Sequence, residues 1–129
     1  MKIIVAGGRR FNNKEIIFRC LDSVGIKKEY TIISGHATGV DSMAELYAKE
    51  RGLGLEIYPA QWDKYGKKAG PMRNHKMALV SDVLIAFWDG NSRDTRSMLN
   101  YALTNQLSII VFDYNGNQIG RSEWIKRLL

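Results

Sequence analysis

Four short clusters of glycines, hydroxyls and charged side chains carry the chemistry this chain could do. Gly7-Gly8-Arg9-Arg10 follows the apolar run Ile3-Ile4-Val5-Ala6, and Ser34-Gly35-His36-Ala37-Thr38-Gly39-Val40-Asp41 follows Thr31-Ile32-Ile33. Ala69-Gly70-Pro71-Met72-Arg73-Asn74 comes after Ile57-Tyr58-Pro59 and a short polar stretch. Asp89-Gly90-Asn91-Ser92-Arg93-Asp94-Thr95 follows Val83-Leu84-Ile85-Ala86-Phe87-Trp88. Small loop residues let backbone N–H groups reach an anion, and a helix that follows adds its positive N-terminus. Such repeated strand–loop–helix units point to one nucleotide- or phosphate-binding crevice.

Each cluster has a chemical and a plainer use. Gly7 and Gly8 allow either a ligand's close approach or a simple tight turn. One arginine of the pair, Arg9 or Arg10, is expected to face the crevice. Ser34 to Asp41 supplies two glycines, two hydroxyls and a helix start, so backbone amides from Gly35 to Gly39 suit a phosphate. Thr38 is one of those hydroxyls. Asp41 would accept a ribose hydroxyl or complement the helix dipole. His36 reads more simply as a loop residue with a local hydrogen bond than as a base. Arg73-Asn74 is placed in the first turn of a helix, where an arginine opposes the dipole. That misfit points to phosphate or carboxylate pairing through its planar fork, and Asn74 could read a base edge or a ribose. Ser92 and Thr95, beside Gly90, suit caps or phosphate donors, whereas Asp94 places negative charge there. Trp62 and Trp88 could stack a base or simply pack.

No catalytic set completes itself. The chain has two histidines, His36 and His75, and lacks H-E-x-x-H, C-x-x-C and G-x-S-x-G. Its glutamates, Glu15, Glu29, Glu45, Glu50, Glu56 and Glu123, fall outside the four clusters. The glycine loops match neither the Walker A pattern nor the dinucleotide fingerprint G-x-G-x-x-G. Neither a metal nor a cofactor is expected.

These clusters require a frame. Strands are expected at 2–6, 30–33, 53–58, 83–88 and 108–113, each short and apolar. Helices are expected from about Asn13 to Val24, from Val40 to Arg51, from Pro71 to Val80 and from Thr95 to Gln106. Asn12 or Asn13 would cap the first, Gly25 would end it, and Gly52 would end the second. Pro71 suits a first turn. Asn115-Gly116 signals a turn, and Ser122 is placed to cap a last short helix in the tail 115–129. The alternation implies one α/β domain over 1–129, with a mostly parallel five-stranded open sheet and helices on both faces.

At 129 residues the length fits one domain, and 45% hydrophobic with 25% charged residues is ordinary for a globular chain. The net charge of +6 permits nucleotides, nucleic acid or acidic protein as partners. Its densest basic stretch holds Lys64, Lys67, Lys68, Arg73, His75 and Lys76, with Trp62 and Tyr65 alongside. The single cysteine, Cys20, excludes an internal disulfide and reads as a buried structural thiol. No signal peptide or membrane-length apolar run is visible, which favours the cytoplasm.

Taken together, Ser34-Gly35-His36-Ala37-Thr38-Gly39-Val40-Asp41, Pro59-Ala60-Gln61-Trp62, Ala69-Gly70-Pro71-Met72-Arg73-Asn74 and Ala86 to Thr95 resemble the small YspA-like branch of the SLOG superfamily. The resemblance runs from Lys2 to about Asp113. It implies a Rossmann-like domain that binds a nucleotide or nucleotide-derived ligand, with members in bacteria and phages. It also implies a homodimer or higher homo-oligomer. Related LOG phosphoribohydrolases release a base from cytokinin nucleotides, and the DNA-processing protein A family binds single-stranded DNA. The LOG motif P-G-G-x-G-T-x-x-E ends in a catalytic glutamate. Here Thr95 matches its threonine and Arg73 matches the arginine that works with that glutamate, but the glutamate position falls on Met98. A thioether cannot transfer a proton.

Three functions follow as expectations. The first is a sensor or sequestering protein that binds its ligand through Gly7, Gly8, Arg9, Ser34, Gly35, His36, Thr38, Gly39, Asp41, Trp62, Gly70, Pro71, Arg73, Asn74, Gly90, Ser92 and Thr95. The second is a nucleotide N-glycosidic or phosphoribosyl hydrolase in which Arg73 acts with Asp41, or another aspartate, as the acid–base. The third is single-stranded nucleic-acid binding on Trp62 and Tyr65 within the basic stretch.

Overall fold

Ile3, Val5, Ile32, Ile85 and Phe87 are buried on one side of a sheet, and Ile4, Ile33, Leu84 and Ala86 on the other. Runs apolar at every position are what central parallel strands require when both faces are covered. The computed structural model describes residues 1–129. Its strands are β1 (Lys2–Gly7), β2 (Thr31–Ser34), β3 (Gly54–Ile57), β4 (Val83–Phe87), β5 (Ser108–Phe112) and β6 (Gln118–Ile119). They lie in the order β3-β2-β1-β4-β5-β6, parallel throughout except that β6 runs antiparallel to β5. The sheet therefore has six strands, not five. Asn115-Gly116 does turn the chain, with Gly116 at φ +85°, but the return strand is two residues long and shows no periodicity to read.

The helices are α1 (Lys14–Val24), α2 (Val40–Arg51), α3 (Trp62–Tyr65), α4 (Ala69–Val80), α5 (Arg93–Thr104) and α6 (Arg121–Leu128). α1 and α2 cover one face through Ile17, Leu21, Ala44 and Tyr47. α4, α5 and α6 cover the other through Met77, Met98, Leu99 and Trp124. The Asn13 side chain caps α1 by accepting from Ile16 N–H at 3.0 Å, and Gly25 ends it in the left-handed region. Gly120, not Ser122, is the N-cap of α6, and Ser122 lies inside its first turn. The four-residue α3 is too short to leave a helical pattern. No helix is long and apolar enough to cross a membrane. Cys20 is buried.

The strand order reverses between β1 and β4. In open α/β sheets this reversal opens a crevice at the carboxyl ends of the strands. The loops after β1 and β2 border it, and the long β3–α4 connection lines its other side.

Candidate ligand-binding site

α4 begins at Ala69, two residues before Pro71, so Arg73 lies in the second turn rather than the first. The expected clash with the helix dipole is therefore absent, and a different constraint explains the residue. Arg73 is 5% exposed. Its Nη1 donates to the Gly35 carbonyl, its Nε donates to Asn74 Oδ1 at 2.9 Å, and its Nη2 lies 3.5 Å from Asp94 Oδ1. Asn74 Nδ2 also donates to Asp94 Oδ1 at 3.1 Å. One guanidinium thus fastens the β2–α2 loop to the start of α5. Gly35 is what lets it in, because a Cβ there would sit 2.5 Å from Nη1.

The β2–α2 loop closes on itself. Thr38 Oγ1 donates to the Arg9 carbonyl at 3.1 Å, tying it to the β1–α1 loop. Asp41 Oδ2 accepts from Ala37 N–H at 3.1 Å, so the carboxylate already occupies one anion position of that loop. Asp41 is 6% exposed. Burial pushes its carboxyl up to about 6, against the downward pull of the Ala37 N–H and the Arg73 guanidinium. The native state therefore holds this proton more tightly than the unfolded chain between pH 3.8 and about 6. Stability falls as pH rises through that window, and the penalty is complete above it. Asp41→Asn keeps an acceptor for Ala37 and removes the charge. It is expected to raise stability by about 2 kcal/mol near pH 7.5, with no gain near pH 4. Urea unfolding at both pH values measures this, and an equal effect at the two would refute it.

A cleft of about 380 Å³ opens between the two loops and the β3–α4 connection. Arg9, Gly35, His36, Ala37, Thr38, Pro59, Ala60, Trp62 and Arg73 line it. Trp62 is 46% exposed, and the Arg9 guanidinium lies over its ring at 5.5 Å from the centroid. Pro59 and Arg73 also border a second cleft of about 170 Å³, where Tyr58, Tyr65, Met72 and Lys76 stand. A ligand with a flat ring and an anionic group fits this pairing of aromatic, guanidinium and hydroxyl groups.

The expected residues divide accordingly. Arg9, Gly35, His36, Thr38, Trp62 and Arg73 share the larger cleft. Ser34, Asp41 and Asn74 are buried behind it. Gly70 packs beneath Trp62, and Pro71 is exposed on the first turn of α4. Gly39 presses against the backbone of Gly8 and Arg9, Tyr114 covers Gly8, and Gly7 abuts Phe87. The fourth loop turns elsewhere. Arg127 of α6 covers Gly90. The Asn91 and Ser92 N–H groups already donate to Asp89 Oδ1. Ser92 caps α5 and Thr95 is buried against it. Trp88 is buried, and its indole donates to the Ser92 carbonyl at 3.2 Å.

Glu45 is the residue the sequence reading passed over. It sits four residues after Asp41 on the same face of α2, and it accepts from Ser34 Oγ at 2.8 Å. That i, i+4 spacing was the available signal.

Comparison with known proteins agrees with this fold. The family model described as YspA, cpYpsA-related SLOG matches residues 1–65, half of the chain. The Gene 61 protein of Mycobacterium phage D29 is 28% identical over 119 residues, covering 86% of this chain and 95% of that protein. DNA processing protein A from Streptococcus pneumoniae superimposes with a TM-score of 0.69 at 20% identity. The match covers 86% of this chain and 50% of that one, so the chain spans about half its length, and the likeness is one of fold.

Proposed function

Because the chain belongs to the YspA, cpYpsA-related SLOG family, we propose that it binds a nucleotide or nucleotide-derived ligand in the cleft between the β1–α1 and β2–α2 loops, as a sensor or sequestering protein. The observation that carries this reading is Trp62, exposed at the mouth of the cleft with Arg9 over its ring and His36, Thr38 and Arg73 beyond it. An aromatic face stacks a base whatever its identity. The guanidinium and imidazole groups beside it attract the ligand's negative charge.

Met98 supports binding rather than LOG-type hydrolysis. It is 1% exposed within the core on the α4–α5 face, so the position that the resemblance assigns to a catalytic glutamate does not border the cleft. A second reading, single-stranded nucleic acid, draws on Tyr65 with Lys64 over its ring at 5.1 Å and on the exposed Lys67 and Lys68 next to Trp62.

Native mass spectrometry of the purified protein, mixed with purine, cyclic and ADP-ribose-type nucleotides, tests the proposal. An intact nucleotide is expected to bind. Trp62→Ala is expected to weaken it by about 1–3 kcal/mol, the worth of one stacked base, without loss of fold. Released base would identify a hydrolase. Binding only to oligonucleotides, falling steeply with salt, would favour the second reading.

A further inference from the structure

His36 is held with more care than an exposed loop residue needs. Its backbone lies at φ +61°, in the left-handed region that histidine adopts at a cost. Its N–H donates to Ser34 Oγ at 3.1 Å, and its Nδ1 meets Glu45 Oε2 at 2.9 Å. The same carboxylate oxygen accepts from Ser34 Oγ at 2.8 Å. Ser34 is fully buried, and the Glu45 side chain is only 13% exposed. The Glu45 carboxylate thus holds one ring edge of a histidine that is itself half exposed and lines the cleft, and the buried Ser34 hydroxyl holds both that carboxylate and the His36 backbone. With Nδ1–H donating to Glu45, Nε2 is the free edge, and in the imidazolium form it carries an N–H of its own.

We propose that Glu45 and Ser34 orient His36 as the specificity residue of the cleft, its Nε2–H donating to the phosphate of a nucleoside monophosphate. This rests on the nucleotide reading given above and names the ligand class. A phosphomonoester presents three terminal oxygens and between one and two negative charges near neutral pH. Arg73 spends most of its donors inside the protein, so Arg9 and His36 are the cleft groups left free to meet such oxygens. A nucleoside would leave both without an anionic partner.

Four charged groups stand near His36: Glu45 on its Nδ1, Asp41 on the Ala37 N–H of the same loop, and Arg9 and Arg73 in the shared cleft. Ionisation of Asp41 as pH rises weakens phosphate binding, and the phosphate's own second ionisation opposes it. Both act alike on wild type and on a His36 variant that retains Asp41, so the difference between the two proteins isolates His36.

Calorimetric titration with the ribonucleoside 5′-monophosphates and their parent nucleosides, near pH 6 and pH 8, supplies the test. The proteins are wild type, His36→Asn and Glu45→Gln. Asparagine tolerates the left-handed backbone, so His36→Asn keeps the loop. Wild type is expected to bind one monophosphate at least about tenfold more tightly than its nucleoside near pH 6, the scale of one charge-assisted hydrogen bond. His36→Asn should lose most of that advantage, read as the ratio of monophosphate to nucleoside affinity in the same protein, and Glu45→Gln should lose part of it. If the advantage is the same in His36→Asn, or if wild type never prefers the phosphate, the role of His36 is refuted while the nucleotide reading stands. If wild type binds no monophosphate and no nucleoside, this inference falls, and the nucleotide reading falls with it only when the cyclic and ADP-ribose-type nucleotides also fail to bind.

Discussion

Arg73→Ala is expected to destabilise the fold by about 3 kcal/mol and to abolish nucleotide binding. The guanidinium is the shared partner of the Gly35 carbonyl, Asn74 Oδ1 and Asp94 Oδ1. Removing it leaves a buried carbonyl unpaired and Asp94 without its cation. Breaking a buried pair from one side costs about 3–5 kcal/mol, and Asp94, the more exposed partner, places the loss at the low end. In a domain of this size the melting temperature should drop by roughly 10 °C. Arg73→Lys should recover only part of the loss, since one ammonium cannot span three acceptors set by a planar fork. Chemical denaturation measures the stability, and native mass spectrometry the binding. A variant within about 0.5 kcal/mol of wild type would show that the two loops hold their places without this side chain.

Gly39→Ala is expected to cost more, about 4 kcal/mol, or to prevent folding. Gly39 lies at φ +73° and ψ −125°, a combination essentially reserved for glycine. A Cβ there would overlap the Gly8 carbonyl oxygen and lie 2.5 Å from the Arg9 backbone. Neither neighbour can move without pulling the β1–α1 loop off the sheet, because Val40 N–H donates to that same Gly8 carbonyl at 3.2 Å. Gly52→Ala provides the control. That glycine also has a positive φ, +68°, but its Cβ would meet nothing within 4 Å. It should cost only the conformational term of about 1–2 kcal/mol. Equal losses in the two variants would mean that the crossing of the two loops is not what demands glycine at position 39.

The parts legible in the sequence were those with periodicity or a strong local signal. Buried runs such as Ile3-Ile4-Val5 announce central parallel strands. Asn13 and Gly25 mark the ends of α1 because capping chemistry is local. The parts that were not legible depend on distant partners. Nothing in Ala69-Gly70-Pro71 shows that α4 starts before its proline, so the sequence alone puts Arg73 one turn too early. Glu45 looked like an ordinary helix residue until folding set it beside Ser34 and His36. The fourth glycine loop read as one more part of the crevice. Arg127, 37 positions beyond Gly90 in the chain, covers it instead.

The three tryptophans divide sharply by their surroundings. Trp88 and Trp124 are each 1% exposed, while Trp62 stands in solvent at the cleft mouth. The protein therefore carries its own optical reporter. A water-borne quencher such as acrylamide or iodide reaches one indole in the folded state and all three in the unfolded state. Docking of a flat ring on Trp62 would shield that single accessible emitter and leave the other two unchanged. Occupancy of the cleft and integrity of the fold can thus be read separately from one unlabelled sample.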